Sequence, residues 1–109
     1  MQRMAQIIQV RPEQIERYVE VHRDVWPEVL ATIADCNIKN YSIFLRRPEN
    51  LLFAYFEYVG EDFTADMARM AADPTTQQWW EVAMPLQEPL PTRGEGEWWA
   101  PTQEVFHLD

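Results

Sequence analysis

IKNYSIFLRRPENLLFAYFEYV, the run from Ile38 to Val59, decides how this chain folds. Two stretches of strand-forming residues, Ile38 to Arg46 and Leu51 to Val59, flank Arg47-Pro48-Glu49-Asn50, which has the length and chemistry of a hairpin connection. Side chains alternate across a strand, so in the first stretch Tyr41, Ile43 and Leu45 share one face, and Ile38, Asn40, Ser42 and Phe44 the other. In the second, Leu52, Ala54, Phe56 and Tyr58 oppose Leu51, Phe53, Tyr55 and Glu57, which leaves both faces largely apolar. One face can take helices from the same chain. The other also needs cover, and with no sequence left over to supply it a second copy is the economical partner, giving a homodimer through the sheet face.

On the N-terminal side, Met4 to Val10 is rich in β-branched residues and ends at Arg11-Pro12, where proline suits the first turn of a helix. Ile15, Val19, His22 and Val25/Trp26 then keep a helical period. Pro27 removes a backbone donor and crowds the turn before it, so the helix breaks near Trp26 and restarts with Pro27-Glu28. The new segment carries Val29, Leu30, Ile33 and Ala34 and stops around Asp35-Cys36-Asn37. On the C-terminal side, Glu61 to Ala72 is an amphipathic helix with Phe63, Met67, Met70 and Ala71, and Asp73-Pro74-Thr75 ends it and starts another. Thr76 to Gln87 follows, and because neighbours on a helix point about 100° apart, Trp79 and Trp80 cannot face the same way. One is expected to serve packing and the other to reach a cavity edge. Glu88 to Pro101 is loop by composition, and Thr102 to Leu108 reads as a last short strand. The order is β, broken α, β, β, paired α, β: a single α+β domain over 1–109 with the split βαββαβ pattern of ferredoxin-like folds, of the dimeric α/β-barrel type.

Composition narrows the partners. Eighteen acidic against nine basic residues, a net charge of -9, leave no basic stripe for phosphates, so nucleic acid and anionic membrane surfaces are poor partners. The only cysteine, Cys36, excludes an intrachain disulfide, and the apolar runs are too short and too broken by charge for a signal peptide or a span. A cytoplasmic protein is expected. The three glycines, Gly60, Gly94 and Gly96, form no phosphate loop, and His22 with Asp24 or Glu28 lacks a convergent ligand set, so neither cofactor nor metal is expected.

The chemistry is concentrated in Tyr18, His22 and Trp26, spaced by four, which puts a phenol, an imidazole and an indole on one helical stripe. An ordinary core stripe would be aliphatic, and a lone helical histidine is usually a satisfied boundary residue. Here the imidazole can give and take a proton near neutral pH beside groups that bind hydroxyls. Five Trp, four Tyr and five Phe exceed what a core this small needs, and aromatic faces with polar tips suit a neutral polyol. Composition alone leaves open a small monooxygenase or a non-catalytic sugar-binding module.

Tyr18-x3-His22-x3-Trp26-Pro27-Glu28, Asn40-Tyr41-Ser42-Ile43, Asn50-Leu51-Leu52-Phe53 and Trp79-Trp80, in this order and spacing, resemble the L-rhamnose mutarotase family. The similarity runs from about Met4 to Met84 and resumes at Glu104-Val105-Phe106. The resemblance implies a dimeric ferredoxin-like aldose 1-epimerase acting on a monosaccharide, with His22 as general acid and Tyr18, Tyr41, Trp79 and Trp80 contacting the sugar. Between Gln87 and Thr102 the chain departs from the Asn/Asp/Ser/Pro-rich segment of rhamnose-specific members. The implied substrate is therefore a 6-deoxy-L-hexose, L-rhamnose or a relative such as L-fucose. The base for the anomeric hydroxyl is open between water and a carboxylate such as Glu28.

Overall fold

The central hairpin forms β2 (Ile38–Arg46) and β3 (Leu51–Tyr58) in a computed structural model that describes all of residues 1–109. β3 alternates between buried and accessible residues along its length, with Leu52, Ala54, Phe56 and Tyr58 all inside. It lies antiparallel between β2 and β1 (Gln2–Val10), and the sheet order is β2-β3-β1-β4, where β4 is the two-residue Gln87–Glu88. A further two-residue strand, β5 (Ala100–Pro101), pairs with Gln6 and Ile7 of β1. This is the ferredoxin-like arrangement: β1 and β2 run parallel, with β3 inserted between them.

Helices cover one face of the sheet. After a 3-10 turn at Pro12–Gln14 come α1 (Ile15–Val21) and α2 (Pro27–Asp35); α3 (Phe63–Ala72) and α4 (Pro74–Ala83) follow the hairpin. Tyr18 joins Ile8, Val10, Leu52 and Leu86 in one part of the core; Val29 meets Trp79 and Ala83 in a second. A third places Ile38, Phe56 and Tyr58 under Phe63, Met67 and Met70. Fully burying a side chain such as Ile8 or Leu52 contributes about 1.5–3 kcal/mol. No helix is long and apolar enough to cross a membrane.

The helix boundaries follow from local chemistry. Trp26 precedes a proline and is held at φ -57, ψ 133, outside the helical region, so α1 cannot run into α2. Asp62 caps α3 by accepting from Ala65 N at 3.1 Å, and Asp73 caps α4 by accepting from Thr76 N at 2.9 Å and Thr76 Oγ1 at 2.8 Å. Asn37 closes α2 at φ 68, a left-handed conformation that asparagine tolerates. Its amide donates to Asp66 Oδ2 at 2.9 Å; the same oxygen takes the Tyr58 hydroxyl at 2.5 Å, and Arg69 Nη2 reaches Asp66 Oδ1 at 2.8 Å.

Two features differ from the sequence reading. Strict alternation sets Ile38 opposite Tyr41, but β2 carries one extra residue between Lys39 and Ser42, with Asn40 at φ 50. This bulge resets the parity. Ile38 is buried beneath α3, and Tyr41, Ile43 and Leu45 lie on that same inner face, Tyr41 with its ring 5.5 Å from Phe56. The second difference is at the C-terminus, where no strand forms over Thr102 to Leu108. Thr102 still bonds Ala5 O through N at 3.1 Å and Oγ1 at 2.7 Å, and Glu104 pairs with Arg3 at 2.8 Å. Beyond them Val105, Phe106 and Leu108 leave the edge of β1 with 79–87% of their surface exposed, having no apolar surface of their own chain to rest on.

Candidate active site

His22 is the residue at which α1 ends. Its backbone N–H bonds Tyr18 O at 3.3 Å, and its ring Nδ1 lies 2.8 Å from that same oxygen. A carbonyl only accepts, so the hydrogen sits on Nδ1, and neutral His22 carries its lone pair on Nε2. The ring stacks on Tyr18 at 4.1 Å between centroids and meets Trp79 edge-on at 5.3 Å. Trp26 also meets Trp79, again edge-on at 5.3 Å. Burial pulls the His22 pKa below 6.5, and the bond to Tyr18 O opposes this only in part. The neutral form, with Nε2 able to accept a proton, is thus favoured at neutral pH.

Tyr18 is buried, and its hydroxyl oxygen accepts from Gln87 Nε2 at 3.3 Å. Desolvation raises its pKa to about 12, which makes the phenol a hydrogen-bond donor rather than an acid. Tyr41 is 40% exposed, and what burial it has raises its pKa.

The structure thus brings Tyr18, His22 and Trp79 together around the imidazole, while Tyr41 lies on the same inner face with its ring against Phe56. The two adjacent indoles separate, as helical geometry requires. Trp79 is buried against the imidazole, whereas Trp80 walls an open groove of about 550 Å³ with Arg11, Glu81, Met84 and Trp98. That groove is lined by neither His22 nor Tyr18. Glu28 is exposed on the first turn of α2, and no carboxylate hydrogen-bonds the imidazole. Gln87 escapes sequence reasoning altogether. It is 4% exposed, joined to Tyr18 on one side and to Trp98 Nε1 at 2.7 Å on the other, and a single glutamine in a proline-rich stretch gives no signal of such a role.

Comparison with known proteins extends these observations. The sequence model of the L-rhamnose mutarotase family matches residues 3–108. The chain is 31% identical to an L-rhamnose mutarotase of Oceanobacillus iheyensis and 33% identical to one of Bacillus subtilis, each alignment covering 100% of both chains. Among solved structures, an L-rhamnose mutarotase from Formosa agariphila matches with a TM-score of 0.78 at 23% identity over 100% of both chains. Tetracenomycin F2 cyclase from Streptomyces glaucescens matches at 0.69 and 14%, over 100% of this chain and 98% of the cyclase. At these identities the two structures speak to the fold alone. Fold and sequence together define the class, a small ferredoxin-like protein within a family of carbohydrate isomerases. That family is the L-rhamnose mutarotases, and the chain belongs to it.

Proposed function

We propose that this protein interconverts the α and β anomers of L-rhamnose by opening and reclosing the pyranose, with His22 Nε2 carrying the proton. The match of residues 3–108 to the family carries the reaction. The fixed tautomer of His22 supports the mechanism.

Neutral Nε2 takes the anomeric hydroxyl proton. The electrons of that O–H bond form the aldehyde C=O as the bond from C1 to the ring oxygen breaks, and the ring oxygen takes the proton back from Nε2. Both oxygens are attached to C1, so one nitrogen can serve them in turn, and Glu28 is not needed as a separate base. Rotation about the C1–C2 bond presents the other face of the aldehyde, and closure runs the same steps backward. Nothing is oxidised and nothing leaves. Tyr18 and Tyr41 hold sugar hydroxyls, the Trp79 ring beside the imidazole supplies apolar surface for the sugar's C–H face, and Trp80 reaches the sugar only from the neighbouring groove that it walls with Trp98. Positioned acid–base groups of this kind contribute about 10²- to 10⁴-fold.

Saturation transfer between anomeric proton signals tests the reading directly. L-Rhamnose exchange is expected to accelerate on adding the protein, with L-fucose slower and D-sugars unaffected. Acceleration of L-fucose alone would change the substrate, and acceleration of no 6-deoxy-L-hexose would end the proposal.

The functional unit is a homodimer paired through the outer sheet face. There Phe44 and Ile7 both lie opposite Phe53 in register, forming an apolar row in which Phe44 is 61% and Phe53 40% exposed. The row and the apolar tail at Val105–Leu108 both lack cover within the chain, and one partner can bury both.

A further inference from the structure

The Tyr18 hydroxyl has one hydrogen-bond partner in the protein, and the direction of that bond is set from a distance. Trp98 Nε1 lies 2.7 Å from one end of the Gln87 amide, and the Tyr18 hydroxyl 3.3 Å from the other. An indole nitrogen only donates. The amide oxygen must therefore face Trp98, which turns the NH₂ group toward Tyr18. Because that NH₂ donates to the phenolic oxygen, the phenol's own hydrogen has no protein acceptor and must point elsewhere.

We propose that Gln87 and Trp98 are positioning residues that make Tyr18 an obligate hydrogen-bond donor to a sugar oxygen. This rests on the mutarotase reading above. The frame is well fixed: Gln87 is 4% exposed and its backbone pairs with Val10, Arg11 N bonds Leu86 O at 2.9 Å, and Trp98 packs on the cluster that contains Tyr18. A freely rotating amide would let Tyr18 switch between donating and accepting, whereas the indole removes that freedom. Trp98 also walls the groove beside Trp80, so the stretch from Gln87 to Trp98, where the sequence departs from the family pattern, reaches the site through a single polar contact. The ligand chemistry it selects is an oxygen acceptor opposite Tyr18: a ring oxygen or a hydroxyl lone pair.

Gln87→Glu gives the decisive test. As a carboxylate this side chain can only accept, so it would take the Tyr18 hydrogen away from the sugar. As a carboxylic acid it offers C=O and O–H in the same layout as the amide. Expected is a loss of roughly 10-fold or more in kcat/KM at neutral pH, with the variant-to-parent ratio recovering as pH falls once the acid limb of His22, which a carboxylate beside Tyr18 moves to higher pH in the variant, is fitted separately for each protein. Trp98→Phe, which keeps the ring and loses the N–H, should cost roughly 3- to 10-fold, mainly in KM. A Gln87→Glu ratio that is flat with pH, or equal to one at neutral pH, overturns the proposal. If the parent accelerates no sugar, the mutarotase reading fails instead, and the Trp98 indole N–H resonance decides the relay alone. It should sit downfield in the parent and move upfield in Gln87→Leu, and a resonance that does not move overturns it.

Discussion

His22 stacks on the ring of the residue whose carbonyl it binds: Tyr18 lies 4.1 Å away face to face, and its backbone oxygen holds Nδ1 at 2.8 Å. One residue thus fixes both the plane and the tautomer of the imidazole, and the i to i+4 spacing at the end of α1 makes this possible.

The acid limb of anomer exchange should follow this histidine. Its folded pKa lies below 6.5 because it is buried, so the proton-accepting form persists to lower pH than in a free imidazole. The acid limb of activity is expected at lower pH than an unperturbed imidazole would give. His22→Asn should lose about 10²- to 10⁴-fold in kcat and the acid limb with it. For stability the sign is the same. The unfolded chain binds the proton more readily, so the contribution of neutral His22 is complete above 6.5 and is lost as pH falls toward the folded value.

Asp66 governs a lower range. The Tyr58 hydroxyl first, then Asn37 and Arg69, hold its carboxyl at about 2, against an ordinary 3.8. Its contribution is present above 3.8 and disappears as pH falls from there toward about 2. Tyr58→Phe removes the largest of these bonds, and a circular-dichroism acid titration should find its unfolding midpoint at higher pH than the parent's.

Gly60 is held by space rather than by dihedral. A Cβ there would run into the Tyr58 hydroxyl and lie 2.7 Å from Asp66 Oδ2, and those two groups are already committed to one another. Gly60→Ala is expected to destabilise by about 1–3 kcal/mol in urea unfolding. A midpoint equal to the parent's would show that the junction yields.

The outer face should control assembly. Sedimentation equilibrium is expected to give twice the 13.0 kDa chain mass for the parent and a monomer for Phe53→Glu, which sets a charge in the middle of the apolar row. A parent that sediments as a monomer at micromolar concentration would refute the pairing.

What was legible in the sequence was what neighbouring residues decide. Pro27 and Asp73-Pro74 mark the helix breaks because proline and capping acids act within one turn. The alternation of β3 survives because its inner face meets the helices throughout. Alternation also put Tyr41 on the correct face, but it misplaced Ile38, since nothing in Lys39-Asn40-Tyr41 announces an inserted residue beyond an asparagine's tolerance of positive φ. The expected terminal strand failed for a related reason: β-forming residues need an edge to join, and past Thr102 the tail leaves β1. Gln87 was invisible because its importance lies in the direction of two hydrogen bonds 69 and 11 residues apart in sequence.

The extra residue at Asn40 lets one strand do what simple pleating forbids. Positions 38 and 41 differ in parity, so a regular strand would have to turn either the α3 contact or the phenol away from the helices. Straightening the strand with every residue kept would force that choice and leave either Ile38 beneath α3 or Tyr41 on the inner face, but not both, whereas loss of Asn40 alone would let plain alternation carry the two together.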